Sequence, residues 1–351
     1  MLIRRRHPGD RPRLKRRGRI RRVLAGLTLL VLIAAITGAV YEAEARRDAR
    51  KRFAPRGRLV DVGGRRIHLD CRGAGSPTVV MENGLDTSGP LSWNTVHDDL
   101  AAITRTCAYS RAGMMWSDPA PGAFHSDSAA RDLHRALTAA GERAPWVLVG
   151  HSMGGPYALV FTARHPRETA GLVLVDAAHP YGRERMGEAA GTAPGPLRRM
   201  RNAAILALGP TLARLGVMRL MAPRAAPADW TPQMAAAQRA LYPPSSAALV
   251  REARAMDETL RRADASRALG DRPLIVLTAI TALPGESAEQ EAKRLAAWKR
   301  LGADQASWSS RGRQQVVDAT HYIHFNRPDV VVDAVRDLVR TIRAEAPRAA
   351  R

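Results

Sequence analysis

The residues of this 351-residue chain best suited to chemistry lie in Gly150-His151-Ser152-Met153-Gly154, a G-x-S-x-G pattern. An apolar run, WVLV (146–149), precedes it, and a helical pattern from Gly154 to Arg164 follows. A sharp strand-to-helix turn exposes the serine hydroxyl, and small flanking residues let the backbone pack closely. The helix that follows aims its first N–H groups at the site and favours negative charge developing there. Such a serine is a nucleophile for acyl transfer, and it needs a base. The segment DATHYIHFNRPDVVVDAV (318–335) offers His321 and His324. His321 follows the strand-like QQVVDA (314–319) within a few residues and precedes the closing helix, so it is the expected base. His324, one turn nearer that helix, is expected to pack behind it. His125, His134, His165 and His179 have no comparable context and are read as surface or cap residues.

These groups need a framework to bring them together. RLVDVGG (58–64) and RRIHLD (65–70) read as two strands joined at Gly63-Gly64. PTVVMENG (77–84), TRTCAYS (104–110), PWVLVG (145–150), GLVLVD (171–176), PLIVLTA (273–279) and QQVVDA (314–319) read as six more. Between them fall helical patterns at 93–103, 126–141, 154–164, 288–301 and 328–344, several with capping residues at the start and glycine at the end. This alternation predicts a mostly parallel sheet covered by helices. It breaks between 177 and 270, which is rich in Ala, Arg, Met and Pro and reads as helical without strands. The expected divisions are a core at 58–180 and 271–345 and a helical cap at 181–270.

The net charge of +22 is concentrated at the start. Residues 1–22 hold eleven Lys and Arg against Asp10 alone. A basic protein can attract nucleic acid, but this tail adjoins VLAGLTLLVLIAAITGAV (23–40), which carries no charge. A spanning helix needs about 20 apolar residues. A basic flank ahead of such a run keeps the N-terminus in the cytoplasm and sends the rest across. The expected arrangement is a basic cytoplasmic tail at 1–22, a transmembrane anchor at 23–41, a linker at 42–57 and an extracytoplasmic domain. No nucleic-acid partner is expected. A cleaved signal is the alternative, since Ala43-Glu44-Ala45 offers a small-residue site and would give a secreted protein. The two cysteines, Cys71 and Cys107, are too few and too separated for a zinc site. No metal or organic cofactor is implied.

From about residue 58 to 343 the chain resembles the serine α/β hydrolases, especially an esterase-like bacterial subgroup related to haloalkane-dehalogenase-like enzymes. The matching segments are VDVGGRRIHLDCRG (60–73), CAYSRAGMMWSDP (107–119), GHSMGG (150–155), LVLVDAAHP (172–180) and THYIHFNRPDVVVDAV (320–335). The resemblance implies the α/β-hydrolase fold: an eight-stranded, mostly parallel sheet, helices on both faces and a cap, here preceded by a transmembrane helix. It implies nucleophile, acid and histidine in that chain order. Many relatives carry the acid just after the strand read here as PLIVLTA, where this sequence has no Asp. Asp176, closing GLVLVD, stands at the other position from which the fold supplies an acid, and Glu286 is the competing candidate. The oxyanion hole would use the backbone N–H of Met153 and of Leu85, although relatives often show His-Gly where this chain has Asn83-Gly84. Trp93 and Trp116 would line the pocket or simply pack in the core. The resemblance also sets Cys71 and Cys107 on neighbouring strands, where a disulfide can form.

The expected function is therefore that of a serine hydrolase acting on a small-molecule ester or related acyl compound through an acyl-enzyme. An acyltransferase using the same triad, or a catalytically silent membrane-tethered binding protein, is the alternative.

Overall fold

The computed structural model describes residues 11–186, 195–281 and 287–345. Eight strands, β1 (Arg58–Asp61), β2 (Arg66–Arg72), β3 (Thr78–Glu82), β4 (Thr106–Ser110), β5 (Trp146–His151), β6 (Thr169–Val175), β7 (Leu274–Ala279) and β8 (Gly312–Val317), form one sheet. Their order is β1-β2-β4-β3-β5-β6-β7-β8. Only β1–β2 and β2–β4 pair antiparallel, and every other neighbour is parallel.

The central strands read as unbroken apolar runs because helices cover both faces. The pleat then divides alternate residues between two cores. Leu148, Leu172 and Leu174 pack with Leu133, Leu159 and Phe161 beneath the helices Ser126–Ala139 and Gly154–Arg164. Val147, Val149, Val173 and Val175 pack with Val96, Leu100, Val331 and Val335 beneath Asn94–Ile103 and Pro328–Glu345. Cys71 and Cys107 are register partners across β2 and β4 and are joined by a disulfide.

Between β6 and β7 the chain forms the helices Pro196–Arg214, Val217–Leu220, Pro232–Ala240, Tyr242–Arg254 and Met256–Ala265, with no strand among the described residues. The N-terminal helix runs from Arg11 to Arg52, 42 residues, or about 63 Å at 1.5 Å per residue. No residue of its apolar stretch is buried among the described residues, though Ala35, Gly38 and Ala39 are partly covered. Residues 42–52, expected to be part of a linker, continue this helix. Glu42 and Ala49, seven positions apart, lie on one face, and the cap covers that face. Glu42 is buried and accepts two hydrogen bonds from Arg219, at 2.9 and 3.0 Å. Ala49 packs with Trp116, Ala237 and Leu241. The dense charge of this stretch hid the pairing from sequence.

Candidate active site

Ser152 is the first residue after β5 and has φ +52°. A non-glycine residue occupies this region only when its surroundings hold it there. Ser152 N–H donates to Val175 O at 3.2 Å, and Ser152 O accepts from Ala178 N–H at 2.9 Å. These bonds staple the elbow to the end of β6. The tight turn explains the flanking glycines. A Cβ on Gly154 would stand 2.1 Å from Glu82 O, and one on Gly150 would stand 2.6 Å from Gly154 O.

Asp176, the first residue after β6, also has a left-handed backbone, with φ +43°. Its carboxylate is buried and fully engaged. Oδ2 lies 2.6 Å from His321 Nδ1. Oδ1 accepts from Ala279 N–H at 2.9 Å and from Trp298 Nε1–H at 2.7 Å. His321 stands in the loop after β8, and its side chain is 43% exposed. Its carbonyl accepts from His151 Nε2–H at 3.0 Å, and the two rings are 4.7 Å apart. Burial and the adjacent His324 and His321 hold His151 well below the usual histidine range, so it is neutral and its Nε2 carries the proton given to His321 O. The His321 backbone is thus fixed from the elbow while its ring is fixed from Asp176. Glu286 lies outside the described residues.

Residues 77–215 match the family described as the α/β hydrolase fold. The chain has the α/β-hydrolase fold. Solved structures of that fold align along nearly their whole length. A haloalkane dehalogenase loop variant from Bradyrhizobium elkanii matches with a TM-score of 0.58 at 18% identity, covering 82% of this chain and 97% of that one. A thermophilic esterase from Thermogutta terrifontis matches with a TM-score of 0.53 at 21% identity, covering 82% and 99%. An uncharacterized protein of Schizosaccharomyces pombe is 36% identical over 140 residues, 32% of this chain. The match spans about a quarter of that relative's length, 26%.

The two N–H groups expected to bind an oxyanion in this α/β-hydrolase fold, on Met153 and Leu85, donate to no protein acceptor among the described residues. The loop carrying Leu85 is held by a residue that sequence reading missed. Arg111 is buried and donates to Asn83 O and Gly84 O, each at 2.7 Å. It also grips Glu252 of the cap through Nε at 3.0 Å and through a second nitrogen at 2.8 Å. Glu82 completes the cluster, accepting from Arg111 at 3.2 Å and from the Tyr109 hydroxyl. Burial pushes the Glu82 carboxyl up to about 7. Two acidic side chains thus flank the arginine in a dry setting, where a buried charge needs partners. Arg111 and Glu252 are 141 positions apart, so no local pattern linked them.

Trp298 is the second omission. It lies on the helix Ala288–Ala306 and touches Asp176, 122 positions away. Trp298→Phe keeps an aromatic ring, though a smaller one, and removes the donor. A hydrogen bond to a charged group contributes about 1.5–3 kcal/mol. The expected result is a fall in kcat of about tenfold, at the lower end of that range, with KM unchanged. Steady-state kinetics on an activated ester checks it.

His324 is fully buried, 4.8 Å from the Trp93 ring and 4.5 Å from the His151 ring, and neither of its nitrogens has a hydrogen-bond partner among the described residues. Trp93 therefore packs beneath the elbow. Trp116 lies instead against His68 and donates to Phe53 O at 2.7 Å, at the foot of the N-terminal helix. Burial, then the nearby His321, lowers the His324 pKa to about 3. The unfolded chain protonates this histidine near 6.5 and the folded chain only near 3, so its contribution to stability is complete above 6.5 and shrinks as pH falls through that window. His324→Phe is expected to flatten the loss of stability between pH 7 and pH 4, which denaturant unfolding at each pH would show.

His179, expected at the surface or in the cap, is buried with Nε2 2.7 Å from Asp304. His134 and His165 stack 3.9 Å apart and within 6° of parallel, both against Glu168. The lone pairs of rings stacked in this way lie in parallel planes, a poor arrangement for chelating one ion.

Proposed function

We propose that this protein is a membrane-anchored serine hydrolase that cleaves a carboxylic ester or related acyl compound. The observation that carries the reading is the 2.6 Å contact of His321 Nδ1 with the buried Asp176, at the strand ends where Ser152 also stands. Ser152 Oγ attacks the carbonyl while His321 Nε2 takes its proton. Asp176 keeps the proton of the neutral ring on Nδ1 and stabilises the imidazolium. The Met153 and Leu85 N–H groups receive the oxyanion. As the tetrahedral intermediate collapses, His321 returns the proton to the departing alcohol, and an acyl group remains on Ser152. Water, deprotonated by His321, then releases the acid. Dehalogenases and epoxide hydrolases of similar fold need a carboxylate nucleophile, and position 152 is Ser.

Asp176 is our choice of acid over Glu286, because its two oxygens already accept from three donors, His321 among them. Retention of the anchor is supported by the buried Glu42–Arg219 pair. Cleavage at 43–45 would remove Glu42 and leave Arg219 without its carboxylate. The basic tail then places the N-terminus in the cytoplasm and the catalytic domain outside it. A reporter active only outside the cytoplasm, fused to the C-terminus, is expected to be active. A fluorophosphonate probe is expected to label the chain at Ser152. A folded protein that refuses the probe would be a silent binding module instead.

A further inference from the structure

The cap touches the N-terminal helix at the edge of its apolar run. Gly38 lies two residues before Val40, where the run ends. A Cβ there would stand 2.5 Å from Leu215 O, so the cap backbone rests directly on the helix at this level. At 1.5 Å per residue, Gly38 is about 3 Å inside the apolar boundary. Glu42, one turn further on, holds Arg219. Residues 215–221 are thereby fixed at the depth where hydrocarbon gives way to headgroups, if the run spans a bilayer as proposed above.

The surface of the cap around this contact is apolar and basic. Leu220 is 85% exposed, Met221 55% and Val217 39%. The adjoining helix Pro196–Arg214 carries Leu197, Met200, Ala204 and Leu208, whose spacing puts them on one stripe. Leu197 is 80% and Met200 69% exposed, and every residue from 195 to 204 is open to solvent among the described residues. Arg198, Arg199 and Arg201 flank the stripe. The helix is nevertheless held firmly at its other end. Pro210 leaves Leu206 O without its helical donor, and Arg254 supplies one from the neighbouring helix at 2.7 Å. A helix anchored at one end, with no protein cover over residues 195–204 among the described residues, and leucines mixed with arginines suit an anionic lipid surface. Apolar exposure of this kind is unusual on a protein that faces water alone.

We propose that the cap is seated on the bilayer, with Leu220, Met221 and the Leu197–Met200–Leu208 stripe entering the headgroup boundary and the arginines meeting anionic lipid. The anchor then does more than tether: it sets the enzyme's height and orientation, so that the cap and the membrane form one surface. This rests on the spanning reading, and the test separates the two. The full-length chain is reconstituted in vesicles of phosphatidylethanolamine with phosphatidylglycerol and spin-labelled, without reductant, at Leu220→Cys, Leu208→Cys, Leu29→Cys or Lys299→Cys. Paramagnetic resonance compares collision with oxygen, which favours lipid, and with a water-soluble nickel chelate. The expected result is an oxygen-to-nickel ratio severalfold higher at 220 and 208 than at 299. Ratios at 220 and 208 equal to that at 299, with 29 in lipid, overturn the seating and leave the anchor standing. A water-exposed label at 29 overturns the span and the seating together.

Discussion

Ser152→Ala is expected to lower kcat on an activated acyl ester by about 10⁶, the scale seen when a triad nucleophile is removed alone. What remains should be weak, because the oxyanion donors and the binding surface survive while the covalent route is closed. The variant should fold. The substitution deletes one oxygen, and the bonds that hold the elbow to β6 run through the Ser152 backbone. Thermal unfolding close to that of the parent, together with lost turnover, separates a chemical role from a structural one.

Asp176→Asn carries the second large effect, a fall in kcat of about 10⁴. Both carboxylate oxygens are acceptors here: one takes His321 Nδ1–H and the other takes two N–H donors. An amide has one acceptor oxygen. Whichever way it is turned, an N–H₂ group faces another donor. The least costly escape is for His321 to hold its proton on Nε2, the nitrogen that must accept from Ser152. Glu286→Gln should change kcat by no more than a few fold. The reverse pattern would move the acid to Glu286.

The elbow and its histidine were legible because the chemistry imposes local rules. The turn at 152 needs small neighbours, and the residues around His321 are sandwiched between a strand and a closing helix. The strands were legible for a related reason: a buried parallel strand must be apolar on both faces, as 146–149 and 171–175 are. Asp176 was readable only as one of two candidates, since an Asp at a strand end serves many turns. The contacts that hold the site together were hidden by distance. Trp298 reaches Asp176 from a helix far along the chain, and Arg111 ties the loop before Leu85 to Glu252 in the cap. Trp298 sits in no motif, and Arg111, although within the matching segment 107–119, carries no local sign of its distant partner. The helical continuation through 42–52 was obscured too, because an arginine-rich sequence reveals a buried face only when its partner, Arg219, is known.

The most direct measurement is an acid quench during the first turnovers on an excess of nitrophenyl acyl ester, followed by mass analysis of the peptides. The account predicts an initial burst of nitrophenol and one acyl group on the peptide holding Ser152, both absent from Ser152→Ala. Rapid turnover with Ser152 never modified, or an acyl group found on a different residue, would contradict it.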